Sequence, residues 1–244
     1  MMPGPQPQTA IIVSHGQPSE PEVAEAELAE VCAALRLHMP DWSVLGATLA
    51  APDALKNAMD QAGSAPLIYP LFMTDGWFTK TALPKRLHNP NARILAPLGV
   101  DPALVLLATK LLTTELSRAG WSADETTLIV AGHGSGRSPN SARDTDSFAN
   151  AVQDRLAFKE LRLGFVEETP FLADAMQEAG PKSICLPFFA ARRGHVLDDI
   201  PEAMKKADFQ GLRLDPIGLH LDVIPLIAEA IRSAQHRATQ SNVA

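Results

Sequence analysis

A short apolar run that ends in His-Gly occurs twice in this chain, and this feature constrains the fold most strongly. The first copy, Ala10–Gln17, reads AIIVSHGQ, and the second, Leu128–Arg143, reads LIVAGHGSGRSPNSAR. Apolar runs with β-branched residues are typical of buried strands, and glycines at a strand end permit a tight turn with positive φ. Both histidines, His15 and His133, are therefore predicted at a strand end, where α/β sheets bind their ligands.

The two histidines lie 118 residues apart, and other landmarks recur in the same order near that offset. The matched pairs are Ala47–Pro52 with Phe165–Pro170, Tyr69–Phe72 with Leu186–Phe189, Leu83–Pro84 with Ile200–Pro201, and Pro97–Gly99 with Pro216–Gly218. Such recurrence indicates internal duplication. We expect two tandem halves, residues 1–120 and 121–244, and a monomer built like a dimer.

Strand and helix patterns alternate strictly along both halves, which predicts the α/β class with a small parallel sheet flanked by helices in each half. The predicted strands are Thr9–Ser14, Ser43–Leu49, Pro66–Phe72 and Arg93–Ala96, then Thr127–Ala131, Arg162–Glu167, Ser183–Phe189 and Arg213–Asp215. The predicted helices are Glu20–His38, Asp53–Gln61, Thr79–Leu87 and Pro102–Arg118, then Ser141–Leu156, Phe171–Ala179, Val196–Lys206 and Val223–Gln235.

Composition excludes several classes of function. The net charge of −7 argues against a general role on nucleic acid or on a membrane surface. The chain lacks an apolar run of the roughly 18 residues that span a membrane, and its first residues lack a signal-peptide pattern. Cys32 and Cys185 fall in different halves and are predicted to be buried, reduced thiols. We therefore expect a cytoplasmic protein.

Three candidate metal ligands follow predicted strands of the second half. They are His133, His195 and a carboxylate from Glu167 or its neighbour Glu168. Because the carboxyl ends of parallel strands meet at one edge of a sheet, these side chains are expected to converge. Two imidazoles and one carboxylate suit a divalent ion such as cobalt, iron or nickel, and the set is too sparse for a closed zinc site.

Four arginines accompany these candidate ligands, namely Arg137, Arg143, Arg192 and Arg193. Guanidinium groups match carboxylates and phosphates bidentately, so this cluster in an acidic chain predicts a polyanionic ligand.

The segments GHGSGRSPNSAR, GFVEETP and LPFFAARRGHVLDDIPEAM resemble the sirohydrochlorin chelatase family, of the CbiX type among the class II tetrapyrrole chelatases. The resemblance implies a lyase that inserts cobalt or iron, or else nickel, into sirohydrochlorin or a related tetrapyrrole without a nucleotide. Such an enzyme would serve cobalamin or siroheme biosynthesis, with the metal as a substrate. The chain departs from the family pattern where Gly136 precedes Arg137 and where Arg193 replaces the first glycine of Gly-Gly-His.

Metal insertion removes two pyrrole N–H protons, and a histidine serves such a reaction as a base or as a transient metal ligand. The residues leave open how His133 and His195 divide these roles, while Glu167 is expected to hold the dication. The tetrapyrrole carries a rim of carboxylates, so the four arginines and His15 are expected to bind the substrate.

The first half keeps His15 but lacks counterparts of the other two candidate ligands. The fixed offset places Leu49 opposite Glu167, and either Trp77 or Phe78 opposite His195. We therefore predict a degenerate site in the first half, where an aromatic ring packs against a macrocycle or against the other half. Asp198 and Asp199 are predicted to stabilise the first turn of a helix through its dipole.

Two other functions compete with a chelatase. A non-catalytic paralogue that binds metal or tetrapyrrole fits the degenerate first half. A hydrolase fits poorly, because the Gly-x-Ser-x-Gly motif fails around Ser135, which is flanked by His133 and Arg137 at those positions.

Overall fold

The computed structural model describes residues 8–135 and 140–241, in which eight strands form two parallel sheets. The strands are Gln8–Ser14 (β1), Trp42–Thr48 (β2), Leu67–Pro70 (β3), Arg93–Ile94 (β4), Thr127–Gly132 (β5), Glu160–Phe165 (β6), Ser183–Pro187 (β7) and Leu212–Arg213 (β8). The sheets have the orders β2-β1-β3-β4 and β6-β5-β7-β8. The two orders are the same, which confirms the predicted α/β class with two similar parallel sheets.

Helices connect the strands, because parallel strands need a crossover between them. The α-helices are Pro21–His38 (α1), Ala54–Gln61 (α2), Leu83–Arg86 (α3), Pro102–Ala119 (α4), Asn140–Leu156 (α5), Leu172–Met176 (α6), Ile200–Lys206 (α7) and Val223–Ser241 (α8). A π-helical turn precedes α3 at Phe78–Ala82 and α7 at His195–Asp199. A π-helical turn, which is rare, therefore follows the third strand of each sheet.

The first strand of each repeat is the centre of its sheet and of its core. Residues 10–13 of β1 and residues 128–131 of β5 have no exposed surface. Strands that are covered on both faces need apolar side chains on both faces, which explains the continuous apolar runs AIIV and LIVA. A buried central strand fixes the position of the residue that follows it, so each His-Gly pair starts from a rigid base.

Helix α4 shows how local sequence signals set the helix ends. The Asp101 side chain accepts a hydrogen bond from the Ala103 N–H at 2.9 Å, and Pro102 occupies the first turn. At the other end Gly120 adopts the left-handed conformation with φ of 68°. An aspartate cap, a proline in the first turn and a glycine after the last turn are the expected signals for this helix.

The described chain folds into two compact units that do not divide at residue 120. The first unit contains residues 8–72, 77–97 and 222–241, and the second contains residues 73–76, 98–135 and 140–221. The first unit therefore includes α8, the last helix of the second repeat, and the second unit includes α4, the last helix of the first. The halves 1–120 and 121–244 stay a prediction about the duplicated sequence.

Two arginine side chains fix α8 within the first unit. Arg232 donates to the His38 carbonyl at the end of α1 at 3.0 Å, and Arg93 of β4 donates to the Ala234 carbonyl at 2.5 Å. Helix α8 continues to Ser241, six residues beyond its predicted end at Gln235.

Strand β6 ends earlier than predicted. Phe165 is its last residue and pairs with Gly132 of β5, so Glu167 lies two residues beyond the strand instead of at its end. The last two residues of the predicted strands Pro66–Phe72 and Ser183–Phe189 also lie beyond the observed ends of β3 and β7. An apolar pattern continues into buried loops, whereas a strand stops where its ladder of hydrogen bonds stops.

Both cysteines are buried and unpaired, as predicted. Burial raises the pKa of Cys32 to about 11 and that of Cys185 to about 12, so both are protonated thiols at neutral pH. In the part of the chain that the structure describes, every helix is too short or too polar to cross a bilayer.

Candidate metal site

His133 lies directly after β5 and is held by its own loop. Its Nδ1 lies 2.8 Å from the carbonyl oxygen of Gly134. A carbonyl oxygen only accepts hydrogen bonds, so Nδ1 donates and Nε2 keeps its lone pair. Gly134 has φ of 74°, a conformation that side chains other than glycine rarely adopt. The glycine therefore sets the loop that turns an unprotonated ring nitrogen outward.

His195 opens the π-helical turn before α7 and has a carboxylate partner. Its Nδ1 lies 2.7 Å from Oδ2 of Asp199, one helical turn along the chain. The carboxylate accepts the Nδ1 proton and leaves Nε2 available, as carboxylates commonly do for metal-binding histidines. The sequence analysis placed Asp199 in the first turn of a helix and did not predict this contact, although the spacing of four residues from His195 was visible in the sequence.

The two imidazole rings meet edge to face. Their centroids are 4.5 Å apart and their planes stand at 89°. The side chains are partly exposed, by 43% for His133 and 39% for His195. Both available nitrogens are thus accessible to a ligand from solvent.

The structure distinguishes the two candidate carboxylates. The Glu167 N–H donates to the His133 carbonyl at 2.9 Å, and its Oε1 lies 3.8 Å from His133 Nε2. Glu168 instead accepts a hydrogen bond from the Ser135 N–H at 2.8 Å. A Cβ at Gly134 would lie 2.8 Å from Glu168 Cγ, so glycine is also needed for this contact. Glu167 faces the histidine and Glu168 holds the loop.

His133, Glu167 and His195 form a group that is able to hold a metal ion. Each offers one ligand atom, and these atoms lie within 4.8 Å of one another. An ion about 2.1 Å from each donor would need them within about 4.2 Å, so a small rotation of partly exposed side chains completes the site. Two nitrogens and one carboxylate leave coordination positions open for a further ligand.

The predicted substrate-binding arginines are in different situations. Arg192 pairs with Asp215 at 2.5 Å, and Arg143 lies 3.3 Å from the buried carboxylate of Asp144. Arg193 precedes the π-helical turn, and its carbonyl accepts a hydrogen bond from the Val196 N–H at 2.7 Å. Arg137 lies outside the described residues. The role of these four residues toward an anionic substrate remains a prediction.

The end of β1 repeats the loop geometry of β5. His15 Nδ1 lies 2.8 Å from the Gly16 carbonyl, and Gly16 has φ of 72°. Phe78 opens the π-helical turn in this unit, with its ring 4.4 Å from the His15 ring at 87°. Phe78 therefore occupies the position that His195 has in the second unit, which decides between the two predicted candidates, Phe78 and Trp77.

The predicted counterpart of Glu167 in the first unit was wrong by one residue. The N–H of Ala50, and not that of Leu49, donates to the His15 carbonyl, at 3.0 Å. The strand pairing agrees, because Ser14 pairs with Thr48 where Gly132 pairs with Phe165. Between the end of its first strand and the end of its second strand, the first repeat has one residue more than the second repeat. Between the end of that second strand and the following proline it has one residue fewer, so a fixed offset fails in the segment that contains Ala50.

The first unit thus keeps the loop and the histidine without the other ligands. Ala50 stands where Glu167 stands, Phe78 stands where His195 stands, and Ala82 is the fifth residue of the π-helical turn where Asp199 is. None of these three side chains is able to bind a metal ion. The degenerate site predicted for this half agrees with this geometry.

Known chelatases have similar sequences and structures. The sequence profile of the CbiX family matches residues 127–234. A solved structure of CbiX, described as the terminal enzyme for biosynthesis of siroheme in denitrifying bacteria, is 42% identical, with a TM-score of 0.85 over 93% of this chain and 99% of that one.

More distant relatives share the fold. SirB from Bacillus subtilis with Fe³⁺ is 18% identical, with a TM-score of 0.72 over 92% of this chain and 94% of that one. SirB from Bacillus subtilis subspecies spizizenii in complex with cobalt is also 18% identical, with a TM-score of 0.69 over the same shares of the two chains. A probable sirohydrochlorin cobaltochelatase of Halobacterium salinarum is 22% identical over 162 residues, which are 55% of this chain, and the match spans 55% of that relative.

Proposed function

The chain belongs to the CbiX family of sirohydrochlorin chelatases, and we propose that it inserts a divalent metal, cobalt or iron, into sirohydrochlorin or a closely related tetrapyrrole without ATP. The observation that carries this proposal is the convergence of His133, Glu167 and His195 at the end of β5. The metal is a substrate that enters the site and leaves in the product.

The three side chains first hold the incoming ion. The Nε2 atoms of His133 and His195 have lone pairs because both Nδ1 atoms donate hydrogen bonds. The Glu167 carboxylate neutralises part of the ion's charge. Incomplete coordination suits a transfer reaction, because the pyrrole nitrogens replace the protein ligands one after another.

Insertion also needs acceptors for two pyrrole protons. We assign one of these roles to His195, because the Asp199 carboxylate at 2.7 Å stabilises the imidazolium that forms on protonation. His133 has only a neutral carbonyl as its Nδ1 partner, so it gains less from taking a proton and suits the ligand role. Glu167, whose Oε1 lies 3.8 Å from His133 Nε2, is assigned the second proton, which its carboxylate accepts once the ion has passed to the macrocycle.

The arginines near this site are assigned to the substrate carboxylates. Arg192 and Arg193 lie on the amino-terminal side of Gly194, which precedes the π-helical turn that begins with His195. We expect the double substitution Arg192→Ala with Arg193→Ala to weaken sirohydrochlorin binding more at low salt than at high salt, because salt screens exposed charges. Equal affinities at both salt concentrations would contradict this assignment.

An anaerobic absorbance assay tests the proposed activity. Purified protein is mixed with excess sirohydrochlorin and either Co²⁺ or Fe²⁺, and the spectrum of the metallated product is followed. We expect the intact protein to form many equivalents of product and the His133→Ala variant to form little product. The control is His88→Ala, which replaces an exposed histidine of the first unit. A plateau at one equivalent would mean a binding protein and would reject catalysis.

The preferred metal decides the biosynthetic role. Faster insertion of Co²⁺ than of Fe²⁺ under competition assigns the enzyme to cobalamin biosynthesis, whereas the opposite preference assigns it to siroheme biosynthesis. We expect both reactions to take place in the cytoplasm, as the composition predicts.

A further inference from the structure

The carboxyl edge of the first sheet carries an aromatic cluster in place of metal ligands. The Phe78 ring lies 4.4 Å from the His15 ring, 5.1 Å from the Trp77 ring and 5.8 Å from Phe72, with which it is stacked. Phe72 and Phe78 support the cluster from within, whereas Trp77 is 58% exposed. A tryptophan exposed on top of a fixed aromatic cluster marks a binding surface for an apolar or conjugated ligand.

Positive charge accompanies this cluster. The segment Thr79–Arg86 contains Lys80, Lys85 and Arg86 and lacks an acidic residue. Arg86 donates to the Leu49 carbonyl at 2.9 Å, which places its exposed guanidinium beside the end of β2. The matching positions after Ile200–Pro201 in the second repeat hold Glu202 and Ala203. The first repeat therefore has two cationic side chains at positions where the second has one carboxylate and one alanine.

This combination excludes a metal ion and favours a flat anion. The positive charge of Arg86 would repel a dication, and the single imidazole of His15 would bind it weakly. A conjugated ring with carboxylates on its rim would instead stack on the Trp77 indole and pair with the guanidinium of Arg86.

We propose that Trp77, Phe78 and Arg86 form a macrocycle-binding surface on the first unit. This surface binds a tetrapyrrole and does not bind a metal ion. The identity of the ligand rests on the proposed chelatase function, whereas the site itself rests on the aromatic and cationic residues of this edge. The first repeat thereby has a binding function of its own, and is more than a scaffold.

Binding of metal-free sirohydrochlorin tests this surface without the insertion reaction. Equilibrium dialysis without added metal compares the intact protein with Trp77→Ala, Trp77→Phe and Arg86→Ala, and with Trp121→Phe as the control tryptophan in the second unit. The Trp77 indole supplies the exposed stacking face of the cluster, so we expect Trp77→Ala to raise the Kd about tenfold. Trp77→Phe should restore most of the affinity, and Arg86→Ala should lower it mainly at low salt.

The outcomes separate this proposal from the proposed activity. Unchanged binding by Trp77→Ala and Arg86→Ala, or no binding of sirohydrochlorin to the intact protein, would overturn the surface. Loss of affinity in these variants supports it, even if the intact protein shows no metal insertion, in which case the activity alone is rejected. Circular dichroism of each variant shows whether the fold is kept, and Trp77→Phe provides a second test if Trp77→Ala does not fold.

Discussion

The two sheet edges share a backbone and differ in chemistry. In both, a histidine follows the central strand, and its Nδ1 donates to the carbonyl of a glycine with φ near 73°. The first residue of a π-helical turn then places its ring edge to face against the ring of that histidine. The second edge adds Glu167, His195 and Asp199, whereas the first has Ala50, Phe78 and Ala82 at these positions. Three side chains thus separate a candidate metal site from an aromatic edge.

The comparison teaches that the loop geometry alone does not make a metal site. The His-Gly turn orients one nitrogen in both units, and the neighbouring residues decide whether an ion or a flat ring is favoured there. Glycine is required at both turns, because a Cβ at Gly16 would lie 2.6 Å from Thr48 Cβ and one at Gly134 would lie 2.8 Å from Glu168 Cγ. The two repeats therefore share a backbone at this turn while the surrounding side chains differ.

The largest expected difference between the edges concerns their histidines. We expect His133→Ala and His195→Ala to lower the rate of Co²⁺ insertion about 100-fold or more, because each removes a ligand or proton acceptor that no neighbour replaces. His15→Ala should lower it far less, since His15 lacks the partners of a metal site. Initial rates at saturating Co²⁺ give the comparison.

The reverse result would exchange the roles of the two units. If His15→Ala were inactive while His133→Ala inserted metal at a normal rate, the active edge would be the first. If both variants matched the unmodified protein, histidine would have no part in the reaction.

The two neighbouring glutamates provide a sharper comparison within the second edge. Glu167→Gln should lower the insertion rate about tenfold or more at unchanged stability, because it removes a charged ligand from the ion. Glu168→Gln should instead lower the free energy of unfolding by about 1 kcal/mol, since its carboxylate holds the Ser135 N–H. Insertion rates and urea unfolding curves of both variants test the assignment, which fails if the two effects are exchanged.

Transplanting ligands into the first edge would break the difference between the units. We expect the double variant Ala50→Glu with Phe78→His to bind two equivalents of Co²⁺ where the unmodified protein binds one, because the backbone already matches. Isothermal titration without tetrapyrrole gives the count, and Ala50→Glu alone is the control. A stoichiometry that stays at one would show that these two substitutions are not sufficient while Arg86 remains beside the site.

The smallest expected effect concerns the buried thiols, one in each unit. Burial raises the folded-state pKa of Cys32 to about 11 and that of Cys185 to about 12, above the value of about 8.5 in an unfolded chain. Their stabilisation is therefore complete below pH 8.5 and is lost as the pH rises toward the folded values. Between pH 8.5 and 9.5 we expect each thiol to lower the free energy of unfolding by up to about 1 kcal/mol.

Urea unfolding at these two pH values measures the effect. Cys32→Ala and Cys185→Ala should each reduce the pH dependence. If neither variant changed it, groups other than the thiols would cause the loss of stability.

The sequence predicted those parts of the molecule that depend on local pattern. The apolar runs of β1 and β5, the caps of α4 and the histidines at the strand ends follow from periodicity, capping residues and glycines. The positions of Phe78 and Ala50 were harder to predict from the sequence. The counterpart of a residue depends on which backbone amides form hydrogen bonds, and a difference of one residue in loop length makes a fixed offset fail. The role of Asp199 was missed because a carboxylate in a first helical turn has a sufficient explanation in the helix dipole.

The composition of the first unit has a consequence for its synthesis. All strands of its sheet have been synthesised by residue 97, but its last helix begins at Val223 and ends at Ser241. About 140 further residues must therefore be synthesised before the chain of the first unit is complete. At roughly 10 residues per second this delay is on the order of ten seconds. The second unit ends at residue 221, so its last residue is made before the last helix of the first unit, and the order in which the two chains of residues are completed is the reverse of the order in which they begin.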